Sequence, residues 1–500
     1  MKRDGFNKSL WQTIPGPKFK PSANHDHYDV IIAGGGITGV SLAYRLQKHG
    51  KKCLLLEARE IGFGTTGGTT AHINNYFDAE YQDVISDFGE DKARLLAEVG
   101  PDVLDFIREN ISDNDIECEF DIRPAYEFST DEKQNKQLDD FYSATEKVGI
   151  PISWVDSMPF PLPFIRIVRI EGQGQFHPLK YVSALAEAFV KAGGEILTHS
   201  RVESVEEKDE AVIVKTANSV FTADNFVWAT HLPPGINRMD FFNAPYRSYA
   251  IAVKLKSGEY PKAQAADMAE FYYYYRSQEI DGEQYLIVGG EDHKTGHETD
   301  TQQCFANLEA HVRQYFDVDK VAYMWSSQYY QPNDELPFIG KMPGDKNIYV
   351  ATGFYGNGIT FGSASALVIS DLILAGESKY EELFDPSRIK PVAGFTETVK
   401  ENADVVFKFI KDKITADKLE SLKELKNGEG RVVKFDGENI AAYRDENGTL
   451  HALNSTCTHV GCTVNWNDTE RSWDCPCHGA RYDLDGNVLT GPAVKGLERL

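Results

Sequence analysis

The sequence predicts an α/β domain interrupted by an α+β insertion, followed by a small all-β domain at the C-terminus. Three observations predict it. An apolar run, a glycine-rich loop and a helical pattern succeed one another from Tyr28. Aromatic-rich segments around Tyr246–Leu255 and Phe271–Arg276 read as strands well downstream of that unit. From Gly430 onward, short strand-like runs are separated by Asp436-Gly437 and Asn447-Gly448, both hairpin turn signals. At 500 residues the chain exceeds what one core accommodates, so two or three domains are expected.

The first unit carries the clearest chemistry. Tyr28–Ala33 is an apolar run ending in Gly34-Gly-Gly36-Ile37-Thr38-Gly39. Ile37, Val40, Ala43, Tyr44 and Leu46 then recur on one side of a helix, and a second apolar run, Cys53–Leu56, ends in Glu57. Strand, glycine loop, helix, strand and acid in this order form a Rossmann-like dinucleotide site. Gly34 would make the tight turn, Gly36 would let the backbone approach a pyrophosphate, and Gly39 would allow close helix–strand packing. The helix N-terminus offers free N–H groups to the phosphates, and Glu57, with Ala58 and Arg59 after it, would meet the ribose. This loop by itself does not choose between FAD and NAD.

Composition excludes several classes. A net charge of −24 argues against nucleic-acid binding and favours, at most, a basic protein partner. Met1–His27 is polar and lacks a signal-peptide core, and no apolar run approaches transmembrane length. A cytoplasmic protein without a membrane span is expected.

Near the C-terminus stand Cys457-Thr-His459-Val-Gly-Cys462 and Cys475-Pro-Cys477-His478-Gly479. Cysteine thiolates and imidazoles in two loops suit a metal centre, structural zinc included. The pattern resembles the Rieske [2Fe–2S] domain. That resemblance implies Cys457 and Cys475 on one iron, His459 and His478 on the other, and a Cys462–Cys477 disulfide bridging the loops. Respiratory members carry Ser where this chain has Ala480 and share its Tyr482, so the cluster potential should lie lower than theirs.

Further motifs decide the dinucleotide. Gly62-Phe-Gly-Thr-Thr65-Thr66-Gly67-Gly-Thr-Thr-Ala-His72 resembles the second flavin-contacting loop of the glycine/D-amino-acid oxidase superfamily, with Thr65, Thr66 and Gly67 as contacts. Gly174–Pro178, the strand starting at Arg201-Val202, and Asp334–Gly340 follow in that superfamily's order. So does Tyr349–Thr360, which contains Gly353, Gly356, Asn357, Gly358, Ile359 and Thr360. The resemblance implies FAD, with adenine against the Val202 backbone and the pyrimidine near the helical run Ser363–Leu374.

On this reading residues 1–27 form an N-terminal arm. The FAD-binding domain is discontinuous (28–91, 170–232 and 328–376), with a substrate domain from 92–169 and 233–327. A linker, 377–429, contains a helix at Thr396–Asp412, and the Rieske domain occupies 430–500. The fold class is thus a glutathione-reductase-type α/β flavin domain with an inserted α+β substrate domain and an all-β Rieske domain. Helical periodicity at Lys92–Glu109 fits the first insertion.

No second dinucleotide fingerprint is present, so electrons are expected from a small-molecule amine or amino acid. They would enter the flavin as a pair and leave singly through the cluster to an external one-electron carrier. The reverse direction, a reductase or redox sensor fed through the cluster, is the alternative. Sarcosine-oxidase-like relatives carry a carboxylate-binding lysine at the final flavin loop; here Asn357 and Thr360 stand in that region. Arg276 or Arg247 could substitute, and Tyr355 is the expected active-site aromatic. Tyrosines 272–275 alternate, so either Tyr272 and Tyr274 or Tyr273 and Tyr275 would face a pocket. A Rieske oxygenase would instead need an iron triad, for which His293 and His297 with Asp292 or Glu291 are the candidates.

Overall fold

Val30, Ile31 and Ile32 have no exposed surface, because the strand they belong to, His27–Ala33, is central and covered on both faces. It pairs in parallel with Cys53–Leu56 on one side and Val220–Trp228 on the other. Glu195–Leu197 and Ile348–Thr352 extend the parallel order outward. Val30 and Ile32 enter a core shared with the helices Ile37–Lys48, Pro178–Lys191 and Gly358–Ala375. Tyr28 and Ile31 face the opposite way, into a cluster with Val202, Val212 and Val214 of an antiparallel hairpin. The computed structural model describes residues 4–20, 23–388, 422, 425–435 and 438–500, so the expected linker helix Thr396–Asp412 and the Asp436-Gly437 turn lie outside the described residues.

The helix Gly358–Ala375 corrects one expectation. Its 18 residues have mean hydropathy 1.7, enough by length and composition to cross a membrane. Its apolar character has another cause: Ile359, Phe361, Ala364, Val368 and Ile369 are buried in the flavin-domain core. A Cβ on Gly362 would stand 2.8 Å from Ile37 and 2.9 Å from Thr38, so this glycine permits the close helix pairing.

A nine-stranded mixed sheet forms the second layer. Asn243–Leu255 lies between Val318–Pro332 and Glu283–Lys294, and the order continues through Tyr274–Ile280, Gln264–Asp267, Asp121–Ser129 and Arg166–Gln175 to His72–Ile73. The strand Arg166–Gln175 passes the expected boundary at Ile170, and Val318–Pro332 passes the one at Gln328; both belong wholly to this sheet. The strand expected from Phe271 begins only at Tyr274, because Asp267 and Tyr273 close a reversal through Asp267 N–H to Tyr273 O (3.2 Å). The helix expected at Lys92–Glu109 runs over Glu90–Asp113.

The C-terminal domain is all-β. Gly430–Phe435, Glu438–Arg444 and Leu450–Asn454 form one antiparallel sheet; Asn465–Asn467, Ser472–Asp474, Arg481–Tyr482 and Val488–Thr490 form another. The N-terminal arm is tucked beneath it, with Asp4, Ser9 and Trp11 fully buried. Arg481 Nη1 donates to Asp4 O, and Trp11 Nε1 donates to Thr69 O at 2.5 Å.

Candidate functional site

A cavity of about 930 Å³ opens where the two large sheets and the C-terminal domain meet. At one end the glycine loop behaves as its spacing predicts. Gly34 adopts φ 113°, and a Cβ there would meet Ala229 O at 2.3 Å. A Cβ on Gly39 would meet Gly34 O at 1.9 Å. Gly36 leaves a cradle floored by Thr66, whose Oγ1 accepts from Ile37 N at 3.0 Å. Glu57 accepts from Gly35 N (2.6 Å) and Arg59 N (2.7 Å). Burial pushes its carboxyl above the ordinary range, against the pull of those two N–H groups.

Most of the expected cofactor contacts line this cavity: Gly34, Gly36, Ile37 and Thr38; Glu57, Ala58 and Arg59; Thr65 and Thr66; Val202; and Gly356 to Ile359. Four others support the lining from behind. Gly39 holds the helix against the loop, and Gly67 abuts Gly62 O. Gly353 (φ 73°) fits beneath Asn243, and Thr360 is buried, its hydroxyl directed at Asn74 O (3.4 Å). The C-terminal domain covers the Glu57 end: Arg59 Nη2 donates to Val488 O at 3.2 Å and Arg201 Nη2 to Ala493 O at 2.8 Å.

The opposite wall is aromatic and acidic. Tyr355 lines it with φ 51° and stacks on Tyr329. Of the tyrosine run, Tyr272 and Tyr274 face the cavity, whereas Tyr273 and Tyr275 contact His311. Asp78 accepts from Tyr272 Oη (2.5 Å) and Gly356 N (2.8 Å). Arg276 corrects an expectation: it is fully buried outside the cavity, where Nη1 donates to Thr70 O (2.7 Å) and Ala71 O (2.6 Å). Arg247 likewise points away, to Ser326 Oγ (2.7 Å) and toward Asp474. Neither supplies a carboxylate clamp. Arg247 lies on the opposite face of its strand from the cavity-lining Tyr246 and Ser248. Arg276, although it shares a face with Tyr274, is used up by the two backbone carbonyls.

The iron-triad alternative fails on the same geometry. His293 bonds Tyr249 Oη and Lys294 O through its two ring nitrogens, and Asp292 accepts from Tyr329. Among the described residues no metal-ligand group forms around them.

In the C-terminal domain the two Cys/His loops meet. Cys462 and Cys477 form a disulfide, and Cys457 and Cys475 are buried free thiols within hydrogen-bonding reach of each other. The His459 and His478 rings are 5.0 Å apart and nearly perpendicular. Nδ1 of each is buried without a partner, while His459 Nε2 lies 3.2 Å from Asp240 Oδ2 and 3.3 Å from Gly235 O. With Nε2–H donating, Nδ1 keeps its lone pair for a metal. Two thiols and two orphaned imidazole nitrogens therefore fit a Rieske cluster. Tyr482 Oη stands 3.1 Å from Cys457 Sγ.

Several residues escaped the sequence reading. Tyr330 and His231 connect the two sites, and Asp240 holds His459 from the other side of the domain junction. Tyr330 Oη donates to His478 O (3.2 Å), and its ring meets His231 at 4.6 Å on the cavity wall. Glu127 occupies a buried position of the strand Asp121–Ser129, the one signal that could have marked it.

The FAD dependent oxidoreductase family matches residues 29–372, and the Rieske [2Fe-2S] domain matches residues 417–500. YhfW of Bacillus subtilis, by name a Rieske 2Fe-2S iron-sulfur protein, is 33% identical over 499 residues, covering 99% of this chain and 97% of its own. The cytochrome b6-f complex iron-sulfur subunit 1 of Nostoc sp. is 45% identical over 65 residues, 13% of this chain and 36% of that one. Glycine oxidase from Geobacillus kaustophilus superposes with a TM-score of 0.62 at 18% identity, covering 73% of this chain and all of that one. The cofactors of this architecture are FAD and a [2Fe–2S] cluster. The chain belongs to the FAD-dependent oxidoreductase family and joins its flavin enzyme to a C-terminal Rieske domain.

Proposed function

We propose that this oxidoreductase is a dehydrogenase that oxidises a C–N bond of an amine or amino-acid-like substrate and delivers the electrons singly, through its Rieske centre, to an external carrier. FAD supplies a two-electron acceptor and the cluster a one-electron relay. The substrate carbon beside nitrogen loses a hydride and the nitrogen loses a proton. Water then hydrolyses the resulting imine to a carbonyl compound and an amine or ammonia. Two electrons leave for two equivalents of the carrier.

The observation that carries this reading is the inward orientation of both proposed histidine ligands. His459 and His478 are buried against the flavin domain, with Tyr330 and His231 between His478 and the cavity. That arrangement suits transfer within the chain. On this proposal Cys457, Cys475, His459 and His478 hold the cluster, and the cavity residues from Gly34 to Glu57 hold the ADP half of FAD.

Anaerobic titration of holoprotein with amines, N-methyl amino acids and D-amino acids tests it, following flavin absorbance and cluster EPR together. Flavin bleaching followed by a reduced-cluster signal is expected. Reduction of both centres only by a ferredoxin-type donor would reverse the direction. His459→Ala and His478→Ala are expected to abolish the Rieske EPR signal while FAD stays bound; an unchanged spectrum would refute the ligand set.

A further inference from the structure

The aromatic end of the cavity is acidic, and among the described residues no lysine or arginine lines that end. Asp78, Glu80, Glu127, Asp267, Glu270 and Asp292 all line the wall. Among the described residues, the lysines and arginines lining the cavity are Arg59 and Arg201, which lie beside Glu57 and Val202 and hold carbonyls of the C-terminal domain. The two histidines on the wall, His72 and His231, are held neutral by burial.

The carboxylates are partnered, where they are partnered, by neutral donors. Tyr272 and the Gly356 N–H serve Asp78; Ala269 N (3.0 Å) and Tyr273 N (3.3 Å) serve Asp267; Tyr329 serves Asp292. Two oxygens are left over. Glu127, only 5% exposed, has Tyr76 beside it but no hydrogen-bond donor on Oε1. Asp292 Oδ1 is likewise unpaired; the nearby Ser248 hydroxyl is shared with Tyr274 Oη at 3.1 Å. Buried carboxylates without countercharge are costly and are ordinarily paired. Burial, with Asp78 adding repulsion to each, pushes the carboxyls of Glu127 and Asp292 above the ordinary range, so a cation entering beside them would be met by groups that ionise to pair with it.

A carboxylate-bearing substrate would approach that wall against repulsion and, among the described residues, meet no arginine or lysine lining it. Arg276 and Arg247 are spent elsewhere, as described above. An aliphatic chain flanked by Tyr246, Tyr272, Tyr274, Tyr329 and Tyr355 would instead find aromatic faces, which favour cations as well as methylenes.

We propose that the pocket takes an amine bearing a second, distal cationic nitrogen and no carboxylate (an α,ω-diamine or polyamine), with Glu127 and Asp292 supplying the countercharge. This rests on the C–N oxidation reading above and narrows its substrate class. One nitrogen flanks the carbon that is oxidised; the other remains an ammonium and anchors the chain.

The test is calorimetric binding to the holoprotein under anaerobic conditions, with flavin absorbance followed in parallel. The probes are 1,4-diaminobutane, spermidine, butylamine, glycine, sarcosine and D-alanine. The diamine is expected to bind at least about tenfold tighter than butylamine. Glu127→Gln and Asp292→Asn are each expected to remove most of that preference, with thermal melting and flavin content verifying that the variants fold. Either variant suffices if the other does not fold. Binding and flavin bleaching by an amino acid, with no binding of the diamine, would overturn the substrate class and leave C–N oxidation standing. A diamine that binds tightly without bleaching the flavin would leave the pocket assignment standing and overturn the reaction. A diamine preference unchanged in both variants would overturn the role of the two carboxylates.

Discussion

Single side chains set the chemical character of each centre. Ala480 is buried beside the second cluster loop, and Cys475 N–H donates to its carbonyl at 2.8 Å. Ala480→Ser would add a hydroxyl donor near the cluster sulfurs, which favours the reduced, more negative state. The potential is expected to rise in an EPR-monitored redox titration, and an unchanged value would mean the hydroxyl points elsewhere. Asp292 makes a second prediction. Burial pushes its carboxyl up to about 7, with Ser248 and Tyr329 pulling down and Asp78 and Glu291 pushing up. Above that pH it is charged and attracts a cation; below it is neutral. An alkyl ammonium keeps its proton throughout this range, so the groups that titrate are wall carboxyls. Asp292 is joined by Glu80 and Asp267, which burial pushes up to about 7 and about 6 and which add negative charge in the same direction. The calorimetric Kd of 1,4-diaminobutane is therefore expected to fall as pH rises from about 6 to about 8.

At the scale of elements, the glycine loop and its helix work as one unit. The helix Ile37–Lys48 can approach its strand only because Gly39 lacks a side chain, a Cβ there lying 1.9 Å from Gly34 O. Gly39→Ala would force the helix N-terminus away from the cradle at Gly36. Loss of bound FAD is expected, with a stability loss of about 2 kcal/mol or more in thermal or denaturant unfolding. The helix Gly358–Ala375 presents its N-terminal turn, Gly358 and Ile359, to the same cavity, so two helix N-termini converge on it. This convergence was legible in the spacing of two glycine-rich motifs. The tyrosine run was legible only in part. Alternation required that one pair face a pocket, but the choice of Tyr272 and Tyr274 depended on which face the helix Thr301–Tyr315 covers, since His311 of that helix stacks on Tyr273.

For the whole molecule, the C-terminal domain is built into the flavin enzyme. It closes the Glu57 end of the cavity through Arg59 and Arg201, takes up the N-terminal arm through Arg481, and buries the His459 side chain and His478 against the first domain. Asp240, from the flavin half, holds His459 at 3.2 Å across this junction. Asp240→Asn removes a buried negative charge near the cluster, which stabilises the reduced state. The cluster potential is expected to rise, with about 59 mV marking each tenfold change in the one-electron equilibrium. An EPR redox titration of the holoprotein checks the shift; an unchanged potential would mean that Asp240 carries no charge in the assembled protein.

The sequence by itself determined both cofactors and the two-part architecture. The residues proposed to bind each group lie close together along the chain: Gly34 to Glu57 for the nucleotide, Cys457 to His478 for the cluster. Such short-range constellations survive as motifs whatever surrounds them. Tertiary structure alone decided which arginines are spent on backbone carbonyls and buried side chains. It also decided that Asp78, Glu127 and Asp292 share one cavity, and that Tyr330 links the two centres. These residues come from separate strands and loops distant in sequence, and pairing within the nine-stranded sheet brings them together. Long-range strand order leaves no local pattern to read, so the substrate end of the site became visible only in the folded chain.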